Sequence, residues 1–129
     1  MPHPKIVACV EDDPTVLEAL QDFLDASGFD TAGFSSAEEF LSSESLTSAS
    51  FLITDFKLGG MSGAQLLQQL STLGHRIPAV LITAFPSDHV RSEATAAGAL
   101  LVMSKPVEMR ELLASIRDNS AAGTRFAGN

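Results

Sequence analysis

A chain of 129 residues, 45% of them apolar, is the size of one domain and long enough to bury a core of its own. Its formal charge of −8, from 16 acidic against 8 scattered basic residues, argues against nucleic acid or an anionic membrane as the direct ligand, because holding phosphate groups takes clustered Lys and Arg. The single cysteine, Cys9, excludes an internal disulfide; with no signal-peptide stretch and no run of roughly 18 apolar residues, a soluble cytoplasmic protein is expected.

The first strand is read in KIVACV (5–10). Asp13-Pro14 then opens a helix, since Asp can accept a backbone N–H as N-cap and Pro suits the first turn. Val16, Leu17, Leu20, Phe23 and Leu24 recur at helical spacing until Gly28 stops them. FDTAGF (29–34) is a weaker strand. Ser36 and Glu39 have capping-box spacing ahead of Phe40 and Leu41, and the Ser-rich stretch 42–50 keeps that helix short and its exit loose. FLIT (51–54) is the third strand, and Leu66, Leu67, Leu70 and Leu73 mark a third helix ending at Gly74. After AVLI (79–82), a helix from Ser87 to Ala97 offers only Val90, Ala94 and Ala97 to the core, so it should be the least firmly anchored. LLVM (100–103) is followed by a fifth helix carrying Val107, Leu112, Leu113 and Ile116. The domain spans 1–118, and 119–129 form a small-residue tail expected to fray. Strands alternating with helices predict an α/β fold: a five-stranded parallel sheet flanked on both faces by five helices.

In such a sheet ligands bind outside the carboxyl ends of the strands. Glu11-Asp12-Asp13, Asp55, Thr83 and Lys105 each close or follow an apolar run, so all of them should meet at that edge. Carboxylates brought together raise one another's pKa or demand a counter-cation. A hard divalent ion, Mg²⁺ or Mn²⁺, resolves the conflict with oxygen ligands. Asp55 is the candidate nucleophile, because Asp can take up a phosphoryl group covalently and the glycines of its loop, DFKLGGMSG, let backbone groups approach a ligand. Lys105 supplies positive charge and Thr83 a hydroxyl donor for phosphoryl oxygens, while Ala84 leaves the approach open. Asp13 is either only the N-cap or a holder of metal-bound water.

The segments VEDDP, LITDFKLGGMSG, LITA and GALLVMSKP resemble the hallmark segments of response-regulator receiver domains of two-component signalling, the CheY-like family, over about residues 4–118. The resemblance implies the flavodoxin-like doubly wound (βα)5 fold. It further implies that Asp55 is the phosphoacceptor and that Mg²⁺ binds Asp12, Asp55 and the backbone carbonyl of Lys57. Thr83, Ala84 and Lys105 would meet the phosphoryl group, and Lys105-Pro106 would be a cis peptide bond. Two positions depart from the pattern. Glu11 stands where Asp is commoner, which makes its metal contact indirect, through water; Val102 stands where the family's aromatic switch residue falls, which puts the usual output route in doubt.

The function expected is therefore a single-domain response regulator, a phosphoacceptor switch rather than a turnover enzyme. It takes its phosphoryl group from a histidine kinase or phosphotransfer protein. It signals by binding a downstream protein, as a monomer or a weak phosphorylation-dependent dimer. The main rival is a haloacid-dehalogenase-type phosphatase, whose Asp-x-Asp-x-Thr signature is approached by Glu11 to Thr15, although Glu11 would then occupy the nucleophile position. The other is a receiver-shaped interaction module that is never phosphorylated, which typically lacks some of these acids. Cys9 is read as a small core hydrophobe, His75 and His89 as surface residues without ligand partners, and Phe85 as loop packing or partner surface.

Overall fold

The apolar runs become strands, and the computed structural model, which describes residues 6–119, assembles them into one sheet. In chain order the elements are β1 (Ile6–Val10), α1 (Pro14–Ala26), β2 (Asp30–Phe34), α2 (Ala37–Leu41), α3 (Ser45–Ser48), β3 (Ala49–Asp55), α4 (Gly63–Thr72), β4 (Ala79–Thr83), α5 (Asp88–Ala96), β5 (Leu101–Ser104) and α6 (Met109–Asn119). The five strands lie in the order β2-β1-β3-β4-β5, and every neighbouring pair is parallel. This is the flavodoxin-like order, in which the winding reverses between β1 and β3. Asn119 closes α6; the rest of the expected tail, 120–129, lies outside the described residues. Among the described residues no helix is long and apolar enough to cross a membrane.

Side chains alternate across each strand, so the sheet divides its apolar residues between two cores. Ala8, Val10, Leu52 and Leu81 pack with Phe40, Leu66, Leu70 and Ala94 on one face. Val7, Cys9, Phe51, Ile53, Val80 and Ile82 pack with Leu20, Leu24, Leu112 and Ile116 of α1 and α6 on the other. Burial on both faces explains why the inner strands read as unbroken apolar runs. At the edge, β2 is more mixed, with Asp30 and Gly33 exposed and Phe34 turned inward, its ring 5.3 Å from that of fully buried Phe40. Cys9 is fully buried, and burial pushes its thiol up to about 12, as suits an inert core residue.

Among the described residues six helices stand where five were expected. The difference lies in the Ser-rich stretch: Ser42 and Ser43 donate their hydroxyls to the Glu38 and Phe40 carbonyls and end α2. Thr47 and Ser48 do the same to Glu44, which favours one further turn, α3, and Leu46 packs it on the core. The capping box at α2 is also only half made. Ser36 accepts the Glu39 N–H, while the Glu39 carboxylate turns back to Ser35. A full box forms instead at α4 between Ser62 and Gln65. Two residues assigned to apolar faces prove exposed: Val16 in the first turn of α1, and Leu73, the C-cap of α4. Gly74, with φ 84°, then turns the chain away. As anticipated, α5 is thinly held, with Ala94 its only buried residue.

Gly63, the first residue of α4, has no room for a side chain. A Cβ there would run into the Asp55 carbonyl oxygen and lie 3.2 Å from Phe56 Cα. The close approach ties the start of α4 to the end of β3, and the Gly63 N–H donates to the Phe56 carbonyl at 2.8 Å. Gly63→Ala is expected to cost about 1–3 kcal/mol through overpacking, measured as a lower urea midpoint at unchanged m-value.

Candidate functional site

Strand register brings the site together. Val10 lies between Phe34 and Thr54, Asp55 beside Ile82, and Thr83 beside Ser104, so the ends of all five strands emerge along one edge. Backbone bonds extend the ladder past the strands: Glu11 N–H to Phe34 O at 3.0 Å, Phe56 N–H to Ile82 O at 2.7 Å and Lys105 N–H to Thr83 O at 2.9 Å.

At this edge Glu11, Asp12 and Asp55 each hold a carboxylate oxygen within 4.8 Å of the other two. Glu11 and Asp55 are buried, whereas Asp12 is exposed. Lys105 reaches in from beyond β5, its Nζ donating to Asp55 Oδ2 at 3.2 Å and to Glu11 Oε1 at 3.4 Å. Glu11 Oε2 accepts the Asp13 N–H at 3.1 Å. Asp13 points its own carboxylate elsewhere, Oδ1 accepting from Thr15 N–H at 2.9 Å and Val16 N–H at 3.4 Å, so it serves as the cap of α1. Buried Thr83 uses Oγ1 to accept the Phe85 N–H at 3.1 Å. That bond fixes a turn bearing exposed Ala84 and Phe85, the latter 80% accessible. The Lys105–Pro106 peptide bond is cis.

Asp12, Asp55, Thr83 and Lys105 line a cavity of about 510 Å³, with Lys57 and Ala84. Phe56, Leu58, Phe85 and Val90 give the same lining its apolar part. This apolar part was missed in the sequence, where Phe56 and Leu58, two apolar residues in a glycine-rich loop, were its signal. Val102 lies farther back in β5, half-buried against the cluster that holds Leu81 and Ala94. His89, outside the site, meets Glu93 one turn on at 3.4 Å, a partner that the sequence reading had passed over.

Burial raises the pKa of Glu11, against the opposing Asp13 N–H, with Asp55 adding to the rise and Lys105 opposing it. Asp55 is likewise raised by burial, partly offset by Lys105 and reinforced by Asp12. Burial pulls Lys105 down, but Asp55 and Glu11 together outweigh it and hold the ammonium above the ordinary lysine value. The donor set thus fits a hard cation: carboxylate oxygens converge on one point, and two belong to groups whose charge is disfavoured without a counter-ion.

Raised carboxyl pKa values mean that metal-free folding takes up protons between the unfolded-state values and the higher folded ones. Stability from Glu11 and Asp55 is therefore present at low pH and lost as pH rises through that window. Lys105, also raised, contributes stability that persists below the unfolded lysine value and is lost only as pH rises through its folded value. Asp55→Asn removes one of the unfavourable charges. In metal-free protein near pH 7 it is expected to raise the thermal midpoint by about 3–6 °C, the shift roughly 1 kcal/mol produces in a domain of this size. It should also flatten the fall in stability across the acid window and gain less from added Mg²⁺ than the parent does.

Residues 7–117 match the family model of the response regulator receiver domain. The chain is 34% identical over 112 residues to the response regulator protein TodT of Pseudomonas putida, an alignment covering 87% of this chain and 49% of TodT. It is 28% identical over 117 residues to the transcriptional regulatory protein FixJ of Azorhizobium caulinodans, covering 91% and 56%. The chain spans about half the length of these curated relatives. Among solved structures it resembles the crystal structure of FixJ-N, with a TM-score of 0.82 at 30% identity over 93% of this chain and 96% of that one. It also resembles the low-resolution structure of the response regulator StyR, with a TM-score of 0.86 at 33% identity over 97% and 64%. With a family model covering nearly every described residue and solved relatives of the same fold, this chain belongs to the response regulator receiver domains.

Proposed function

We propose that the chain is a phosphoacceptor switch in which Asp55 takes a phosphoryl group from the phosphohistidine of a histidine kinase or phosphotransfer protein and later yields it to water. The observation that carries this reading is the placement of buried Asp55 against Lys105 and in one cluster with Glu11 and Asp12, lining the same cavity as Thr83. An Asp55 carboxylate oxygen attacks phosphorus, and a P–O bond forms as the P–N bond to the donor imidazole breaks. The imidazole leaves with the electron pair of that bond and is protonated from solvent. Asp12, Asp55 and the Lys57 backbone carbonyl would hold Mg²⁺ or Mn²⁺, with Glu11 reaching it through water; the bound ion offsets the charge of the acids and of the phosphoryl oxygens.

Lys105 places its ammonium against one phosphoryl oxygen, the Thr83 hydroxyl donates to another, and Ala84 keeps the approach open. One phosphoryl group stays on the protein per signal, so this is a switch and not a turnover enzyme. Histidine-kinase signalling and a lone thiol, Cys9, suit the cytoplasm. The signal is read by a downstream protein, through a monomer or a weak phosphorylation-dependent dimer. A dehalogenase-type phosphatase would need Glu11 as nucleophile, and both Glu11 oxygens are engaged, one by Lys105 and one by the Asp13 N–H.

Acetyl phosphate, or beryllofluoride as a phosphoryl mimic, is expected with Mg²⁺ to modify the chain at Asp55 alone. The label should vanish in Asp55→Asn, while Lys105→Ala keeps metal binding and loses most of the phosphorylation or the response to it. Peptide mapping decides: phosphate on Glu11 would favour the phosphatase.

Val102 is stiff at χ1 and cannot swing as an aromatic would. The output then runs through Thr83, whose hydroxyl holds the Phe85 N–H, into the exposed turn and into α5, which buries only Ala94. An element held by so few contacts has low local stability and is biased by a few kcal/mol, within reach of a new charge-assisted contact. Beryllofluoride is expected to give its largest amide shifts outside the site in residues 84–98, with smaller ones around Val102. Spectra in which 84–98 stays still while 36–44 moves would exclude this route.

A further inference from the structure

From α2 one side chain crosses to the loop that follows Asp55. Glu38, in the first turn, accepts the Met61 N–H on Oε2 at 3.2 Å, across 23 residues of sequence. Its neighbour Glu39 turns the other way, to Ser35. The loop itself, 56–62, is pinned at both ends. Phe56 donates to Ile82 O at 2.7 Å and accepts from Gly63 N–H at 2.8 Å, and Ser62 is held by its box with Gln65. Leu58 is buried and anchors the first half.

The second half holds Gly59 and Gly60, neither of which has a left-handed φ. A Cβ on Gly59 would meet nothing within 4 Å, so neither conformation nor space requires glycine there; its effect is to add backbone freedom. Gly60 is different. A Cβ there would lie 3.1 Å from Glu38 Oε2, so a side chain would press on the carboxylate and make it give by a few tenths of an ångström. Among the described residues, the bond from Glu38 is the one hydrogen bond from another element that holds the stretch between Phe56 and Ser62.

We infer that Glu38 is a positioning residue of the phosphorylation site: its carboxylate tethers the glycine half of the loop at Met61 and so limits the freedom of the chain that runs on from Lys57, whose carbonyl the functional reading gives to the metal. The inference rests on the functional reading above, which assigns that carbonyl to Mg²⁺. Without the tether, ordering a di-glycine segment would be charged against metal binding when the ion arrives.

The test compares the parent chain, Glu38→Ala and Glu38→Gln by NMR, with a Mg²⁺ titration and with amide hydrogen exchange in metal-free protein. Glu38→Ala is expected to weaken Mg²⁺ binding about three- to tenfold, below the full value of a charged hydrogen bond because the pair is exposed. It should also speed exchange of the Met61 amide. Glu38→Gln removes the charge and keeps an acceptor, and should stay within about twofold of the parent, since a neutral acceptor retains most of an exposed bond. Parent-like affinity in Glu38→Ala would overturn the inference. So would a Gln variant as weak as the Ala variant, because the effect would then be charge and not tether. A parent chain that binds no Mg²⁺ at all would overturn the functional reading, and the tether's role in it, while unchanged Met61 exchange in Glu38→Ala would reject the tether alone.

Discussion

Two buried carboxylates, Glu11 and Asp55, share one lysine, and much of the site follows from keeping that arrangement in place. Parallel strands can bring such groups together because their carboxyl ends all emerge at one edge, and the reversal of winding between β1 and β3 leaves a crevice there. The cluster is not what stabilises the fold. Burying like charges is unfavourable even with a cation between them, and the raised pKa values of both acids show that burial outweighs the help Lys105 gives. Stability comes from the two apolar faces of the sheet, and the buried acids of the edge offset part of it.

In the switch proposed above, Lys105 is also the group over which ligands would compete. Held by Glu11 and Asp55 together, it would on that reading already lie beside the phosphoacceptor, so that little rearrangement would be needed to meet a phosphoryl oxygen. A counter-ion among the three carboxylates would weaken its hold on Glu11 and free it to turn toward the new charge. The extra methylene of Glu11 matters here, since the longer arm lets one oxygen meet Lys105 while the other closes on the Asp13 N–H. A residue that looked like a departure from the family pattern is satisfied on both oxygens in the metal-free state.

Strands were legible because the inner ones are buried on both faces and so carry unbroken apolar runs, and the site was legible because topology alone sends the residues after those runs to one edge. What escaped was decided by tertiary contact. Glu38 and Glu39 are adjacent and chemically alike; which of them closes the helix start and which crosses to Met61 depends on a loop 23 residues away. The turn α3 escaped because serine hydroxyls can bond neighbouring carbonyls inside or outside a helix, and only packing of Leu46 chooses. Val16 and Leu73 keep helical spacing yet sit where the helix begins and ends, where periodicity no longer says which side faces the core.

The same gradation of packing arranges the dynamics around the site. On one side α4 buries five residues and starts hard against Asp55 through Gly63, so the strand end that carries Asp55 is held firmly. On the other, the turn after Thr83 is exposed and α5 buries one residue. A perturbation at the carboxylates therefore meets a rigid neighbour through β3 and a soft one through β4. Motion goes where the opposing free energy is smallest, so in the switch proposed above the exit would be Thr83, even though Val102 supplies no aromatic to follow it. Phe85, exposed and tied by its N–H to the Thr83 hydroxyl, is the large apolar side chain placed to move with that turn, and the cavity it lines with Leu58 and Val90 is the space available to it.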